Sequence, residues 1–179
     1  IIAGSHGVSG FESFWIGSNA SKIVTYSPCP VITLRESFPV KKTIKKVVLP
    51  IDNSTSTRQK VPFAMDFAKC FGSEIHVLEL QSSNLKAVRN KVSSYTAQVA
   101  DYLTENKVKF IVKTIEADNI TNATIKYAEE EKADLIIIMT EQEQELSNIW
   151  LGPYAQQMVN NSPIPVMSIH PKELDYLSK

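Results

Sequence analysis

The chain of 179 residues is poor in the residues that usually announce a chemistry. It holds two cysteines, Cys29 and Cys70, and three histidines, His6, His76 and His170. The cysteines have no metal-type spacing, which excludes a zinc ribbon or a disulfide scaffold; the expectation is a reduced, cytoplasmic protein. No His-x-x-His, Cys-x-x-Cys or Ser/His/Asp arrangement occurs, so metal chemistry and triad hydrolysis have no visible carrier. The 19 basic and 19 acidic residues cancel, so nothing in the bulk charge favours nucleic acid or an anionic membrane. No apolar run reaches membrane-spanning length, and no signal-peptide pattern is visible in these residues. Glycine is also scarce, at six residues, yet four of them fall within the first seventeen positions.

That cluster is the main functional signal. An apolar strand, Ile1 to Ala3, runs into Gly4; Gly7 and Gly10 follow in a loop, and Gly17-Ser18 precede a helical pattern. Glycine lets a backbone turn tightly and aim its N–H groups at anionic oxygens. A helix start adds unpaired donors and a positive dipole end. Ser18 is expected at the N-cap, where its hydroxyl can donate to a phosphate. The candidate phosphate loop is therefore Gly4, Ser5, His6, Gly7, Gly10, Gly17, Ser18 and Asn19, with His6 equally suited to a solvated loop position. The spacing is neither a P-loop, which needs Gly-Lys-Ser/Thr, nor a dinucleotide fingerprint.

An internal repeat organises the rest. Sliding the chain by 135 positions aligns 1–35 with 136–170 without a gap, with ten identical pairs that include Trp15/Trp150, Gly17/Gly152, Val24/Val159 and Pro30/Pro165. The expectation is the closing part of one domain over 1–36, a basic linker over 37–46 with Lys41, Lys42, Lys45 and Lys46, and a complete second copy over 47–179. Opening on Ile1 inside a strand, the chain reads as a piece of a longer protein. The second copy alternates strand and helix: Val47–Ile51, a turn at Asp52-Asn53-Ser54, a helix capped by Ser56 or Thr57 and stopped at Gly72, and a strand at 75–80. A long helix with an apolar stripe from Leu85 to Leu103, a strand at 110–115, a helix at 120–131 and the wholly apolar strand Leu135–Met139 follow. A helix at 154–160 and a strand at 165–169 close it. Strict alternation predicts an open parallel sheet with helices on both faces.

The strand, the glycine spacing and the closing segment Ser27-Pro28-Cys29-Pro30-Val31 together resemble the ATP-binding signature of the universal stress protein (UspA) family. The resemblance covers Ile1 to Arg35. It implies an α/β fold of the adenine nucleotide alpha hydrolase type: an open parallel five-stranded sheet, helices on both faces, strand order 3-2-1-4-5. It implies ATP as ligand, with an acidic residue at the position of Asp52 beside adenine and ribose; an Asx turn explains Asp52 equally well. It also implies that the final edge strands, Val31–Arg35 and Val166–His170, pair with each other, as a pseudo-dimer within one chain or as a homodimer.

The second loop has changed. Gly4 becomes Met139, Gly7 becomes Gln142, Gly10 becomes Glu145 and Ser18 becomes Pro153, while Glu141, Glu143 and Glu145 add negative charge. ATP is therefore expected on the first loop alone, with the second domain degenerate; a longer parent is expected to bind it at one site and the 179-residue chain weakly or not at all. Two other readings stand beside this one: an interaction scaffold that takes no nucleotide, and a slow adenine-nucleotide hydrolase, for which no general base is visible. His76 and His170 read as structural, Trp15 and Trp150 as packing, and Cys29 as a small buried residue.

Overall fold

The computed structural model describes residues 1–5, 17–36, 38–39, 43–140, 142–145 and 148–171. The chain opens with β1 (Ile2–Gly4), α1 (Ser18–Tyr26) and β2 (Val31–Leu34). Then come β3 (Lys46–Ile51), α2 (Val61–Phe71), β4 (Glu74–Gln81), α3 (Lys86–Glu105), β5 (Phe110–Glu116), α4 (Ile120–Glu130) and β6 (Leu135–Met139). A hairpin of β7 (Gln142–Glu145) and β8 (Asn148–Leu151) precedes α5 (Pro153–Asn161) and β9 (Val166–Ile169).

Seven strands form the main sheet in the order β1-β2-β9-β6-β3-β4-β5. The five from β3 onward lie parallel in the order 3-2-1-4-5. The expected five-stranded sheet is extended because β2 adds antiparallel to β9, and β1 adds parallel to β2. Left alone, β9 would present a row of unpaired N–H and C=O groups. The apolar strand β2 covers that edge from within the same chain.

Strand residues sort by parity onto two cores. Val48, Leu78, Leu80, Ile136, Ile138 and Val166 pack under α1, α4 and α5, while Val47, Leu49, Ile51, Ile75, Val77 and Ile137 pack under α2 and α3. With helices on both faces, β6 is buried along its whole length, which is why Leu-Ile-Ile-Ile-Met shows no polar alternation. Helix α2 ends at Gly72, whose φ of 64° is the left-handed conformation that glycine adopts freely. Three local expectations are corrected. Neither Ser56 nor Thr57 caps α2, because the chain turns through Lys60 before the helix starts at Val61. Leu85 lies before α3 and is 69% exposed, off the buried stripe of Val92, Val99 and Leu103. Lys46 begins β3 and bonds Glu131 rather than joining a solvated linker.

The offset of 135 seen in the sequence recurs in the coordinates. Adding it to α1 and β2 gives the bounds of α5 and β9 to the residue. The registers match as well: Ile2↔Ile32, Ala3↔Thr33 and Gly4↔Leu34 become Ile137↔Met167, Ile138↔Ser168 and Met139↔Ile169. Between the two stretches, Val31 faces Ser168, Ile32 faces Met167 and Thr33 faces Val166. The antiparallel pair is therefore centred on Ile32 and Met167, which occupy equivalent positions, and a local two-fold axis runs between them.

Candidate phosphate-binding site

The neck of the first loop is well defined. Gly4 ends β1, Ser5 is buried, and its N–H donates to the Leu34 carbonyl at 2.8 Å. Its own carbonyl accepts from Gly17 N–H at 2.8 Å, so the chain leaves and re-enters at one point. His6, Gly7 and Gly10, and with them Trp15, lie outside the described residues. Gly17, not Ser18, is the N-cap of α1, with φ −59° and ψ 148° and no side-chain cap. A glycine at the cap moves the hydroxyl one position inward, so Ser18 and Asn19 become the first two helical residues, and both are exposed. The first turn of α1 holds no acidic residue, so among the described residues none of its own side chains opposes the positive end of the helix dipole.

The counterpart loop is built differently. Helix α5 has Gly152 at its N-cap with φ −56° and ψ 154°, but Pro153 follows and contributes no N–H. Before it, Gln142↔Leu151, Glu143↔Trp150, Gln144↔Ile149 and Glu145↔Asn148 form the ladder of β7 and β8. In such a ladder the backbone groups that would turn toward an anion are committed to the neighbouring strand.

Asp52 directly follows β3 at the carboxyl side of the parallel strands, and its Oδ1 accepts from Ser54 N–H at 2.8 Å, the geometry of an Asx turn. Its own N–H donates to Thr57 Oγ1 at 3.2 Å. Behind it lies a group that sequence reasoning missed. Lys60 is 2% exposed, and its ammonium donates to the Thr57 carbonyl at 2.6 Å and to Thr57 Oγ1 at 3.1 Å. Burial pushes its pKa down to about 8, against the pull of the Asp52 carboxylate. The sequence gives no signal for this, because Lys60 sits in a polar turn just before the apolar stripe of α2.

The candidate residues are not brought together into one site. Because β2 runs antiparallel to β9, the carboxyl end of β1 points to the opposite end of the sheet from the carboxyl ends of β3 and β6. Gly4, Ser5, Gly17, Ser18 and Asn19 share one location, and Asp52 belongs to another.

The remaining residues are accounted for locally. His76 is buried, with Nδ1 2.9 Å from the Tyr127 hydroxyl and Nε2 3.1 Å from Glu74. Burial first, then Glu131 and Glu74, hold the Tyr127 phenol above its ordinary value. The Lys46 ammonium, bonded at 2.9 Å, holds Glu131 below the usual carboxylate range. Cys29 is exposed, not buried, because the Pro28-Cys29-Pro30 turn projects between helix and strand; Cys70 is exposed too. Among the described residues no three His, Cys, Asp or Glu gather to hold a metal, and no helix is long and apolar enough to cross a membrane.

A mainly parallel sheet with helices packed on both faces defines the class of open α/β proteins. Within that class the assignment is direct: the chain belongs to the universal stress protein family, whose model matches residues 1–35 and 43–170. It is 27% identical over 142 residues to Universal stress protein MJ0531 of Methanocaldococcus jannaschii, covering 70% of this chain and 81% of that one. The fold is shared with a universal stress protein from Archaeoglobus fulgidus at TM-score 0.72 and 20% identity, covering 94% of this chain and 61% of that one. It is shared also with a universal stress protein solved in complex with cAMP, at TM-score 0.58 and 18% identity, covering 72% and 98%. Against the longer solved chains the protein spans about 62% of their length.

Proposed function

We propose that the protein is a stress-response protein that binds an adenine nucleotide, ATP in the first instance, with its phosphates on the loop and helix start between Gly4 and Asn19. The observation that carries this reading is the uncapped N-terminus of α1 behind a loop closed by Ser5 and Gly17. Related folds solved with cAMP and with dAMP support the ligand class. The stretch 136–170 serves as a degenerate partner: its hairpin and Pro153 leave no comparable anion cradle, and the buried charge of Lys60 occupies the turn beside Asp52. The coincidence of elements at an offset of 135 supports a tandem reading, with 1–36 closing one domain, 37–46 joining and 47–179 forming a second. The free thiols suit a cytoplasmic setting. Nucleotide then acts as a conformational ligand or is hydrolysed slowly, and a turnover assay separates the two.

Equilibrium binding of ATP to the chain and to Gly17→Asp tests this. Aspartate is a good N-cap, so α1 stays formed while a carboxylate fills the phosphate position. Weak binding is expected in the 179-residue chain and none in the variant. Equal binding by both would overturn the site, and retention of a protein partner without any nucleotide binding would favour the scaffold reading.

A further inference from the structure

The equivalent residues of the two stretches are not equally covered. Ile136, Ile137 and Met158 are each 0% exposed. Ile1, Ile2 and Ile23, at the same positions 135 residues earlier, are 57%, 72% and 37% exposed. The difference is confined, because Ala20 and Val24 of α1 are as buried as Ala155 and Val159 of α5. One surface isoleucine needs no explanation; three whose counterparts all lie in the core do.

What covers the second set is visible. Strand β6 lies between β9 and β3, and β3 joins it parallel, with Val47 opposite Leu135 and Val48 opposite Ile136. Ile136 and Met158 share a core with Val48 and with Ile125 and Ala128 of α4. Ile137 shares the other core with Val47, Leu49 and Ala64 of α2. Among the described residues β1 is paired on one side only, at the end of the sheet. The Ile1 carbonyl accepts from Ile32 N–H, and Ser5 N–H donates to the Leu34 carbonyl, both at 2.8 Å. Backbone groups alternate in direction along a strand, so the Ile2 N–H is turned to the open side. The two ends of the sheet are also finished differently. β5, at the far end, carries exposed Lys113 and Glu116 and follows exposed Lys109, charges that discourage a further strand. β1 is Ile-Ala-Gly, with no charged side chain and no proline.

We infer that the open side of β1 is a docking edge for one further parallel strand, apolar like β3 and accompanied by helices that cover Ile2 and Ile23. Its source is the opening part of the first domain in a longer parent chain, so the inference rests on the tandem reading above. It adds a register to that reading: a residue placed like Val48 faces Ile1, and a carbonyl of the incoming strand takes the Ile2 N–H. The apolar edge is thus an interface kept free of the charges that close β5.

The test extends the full chain ahead of Ile1 by a copy of its own residues 43–135, the stretch that precedes Ile136. Amide exchange is read over residues 1–35, whose sequence stays unique in the extended chain. Protection of the Ile2 amide and of α1 is expected to rise by about tenfold or more over the 179-residue chain. Ile2→Lys is expected to leave the stability of the 179-residue chain unchanged and to undo the gain in the extended one. No gain on extension, or an equal effect of Ile2→Lys in both chains, overturns the inference. Should the extended chain not fold, the peptide of residues 43–52 is titrated into the 179-residue chain to millimolar concentration. Shifts of the Ile2 amide and the Ile1 and Ile23 methyls, lost in Ile2→Lys, support the edge, and their absence overturns it. A concentration-dependent dimer of the 179-residue chain that Ile2→Lys abolishes would give the edge to a second copy and overturn it too. ATP affinity is a separate readout: protection gained without ATP binding counts against the nucleotide site alone.

Discussion

Helix α1 and helix α5 each run nine residues, from an N-cap glycine with φ near −57° and ψ near 150° to a serine cap in extended conformation. Ser27 N–H and Ser162 N–H close the two C-termini on Ile23 and Met158. The backbones are interchangeable, yet the first begins Gly-Ser-Asn behind a glycine loop and the second begins Gly-Pro-Tyr behind a hairpin. The comparison teaches that the packing side of this unit and its helix start vary independently. Ala20/Ala155 and Val24/Val159 keep the helix on the sheet, and nothing in that packing depends on what residues 17–19 or 152–154 offer to an anion.

The comparison can be broken at its joint. Val31, 1% exposed and opposite Ser168, packs into the core under α1 and α5. Val31→Asp is expected to cost about 4 kcal/mol, through an unpaired buried charge. Exchange should show α1 and β2 released while β3–β6 stay protected; uniform loss across the sheet would mean that the stretches are not separable.

A second variant probes the C-terminal unit. Lys60, lowered to about 8, binds fewer protons folded than unfolded between pH 8 and its ordinary value, so stability should rise with pH across that range. Lys60→Met should flatten that rise and stabilise the protein at pH 7 by about 2 kcal/mol, the desolvation relieved less the loss of the Thr57 bonds. Denaturant melts at pH 7 and 9.5 measure both.

Two smaller effects sharpen the contrast between the helix starts. Ser18→Pro writes the second sequence into the first frame, and ATP affinity should fall about tenfold for one lost donor to a charged ligand, with helix content unchanged by circular dichroism. Pro153→Ser performs the reverse exchange. It should leave stability within about 0.5 kcal/mol and create no nucleotide binding, because the β7–β8 ladder remains. Binding gained by that single change, read by titration, would show that the hairpin is no obstacle.

Much of this architecture is legible in the sequence because it rests on periodicity. The apolar run Leu135–Met139 matches its strand to the residue, and the offset of 135 locates α5 and β9 from α1 and β2. The strand order within the parallel part follows the family resemblance. The hairpin was not legible: Gln-Glu-Gln-Glu has low strand propensity, and its pairing with 148–151 is decided by tertiary context. Nor was the burial of Lys60, since a lysine in a polar turn normally stays in water. The exposure of Cys29 follows from which way a double-proline turn projects, a three-dimensional fact with no linear signature. Of the candidate loop, Gly17 and Ser18 do lie at the start of α1, with the capping position on Gly17 rather than Ser18, whereas the bond from Arg35 to the Asn160 carbonyl needs the antiparallel pair before the residue has a partner.

The two-fold pairing of β2 with β9 spans three residue pairs, far too few to hold separate molecules together at ordinary concentrations. Residues 35–45 tether the partners, and a short tether supplies an effective concentration on the order of millimolar. What would be a fleeting encounter between two chains becomes a standing contact inside one. Because each side of that contact is encoded only once, Ile32 can face Met167 and Arg35 can mirror His170. A homodimer, in which every substitution arrives in duplicate, has no means of making its two sides differ.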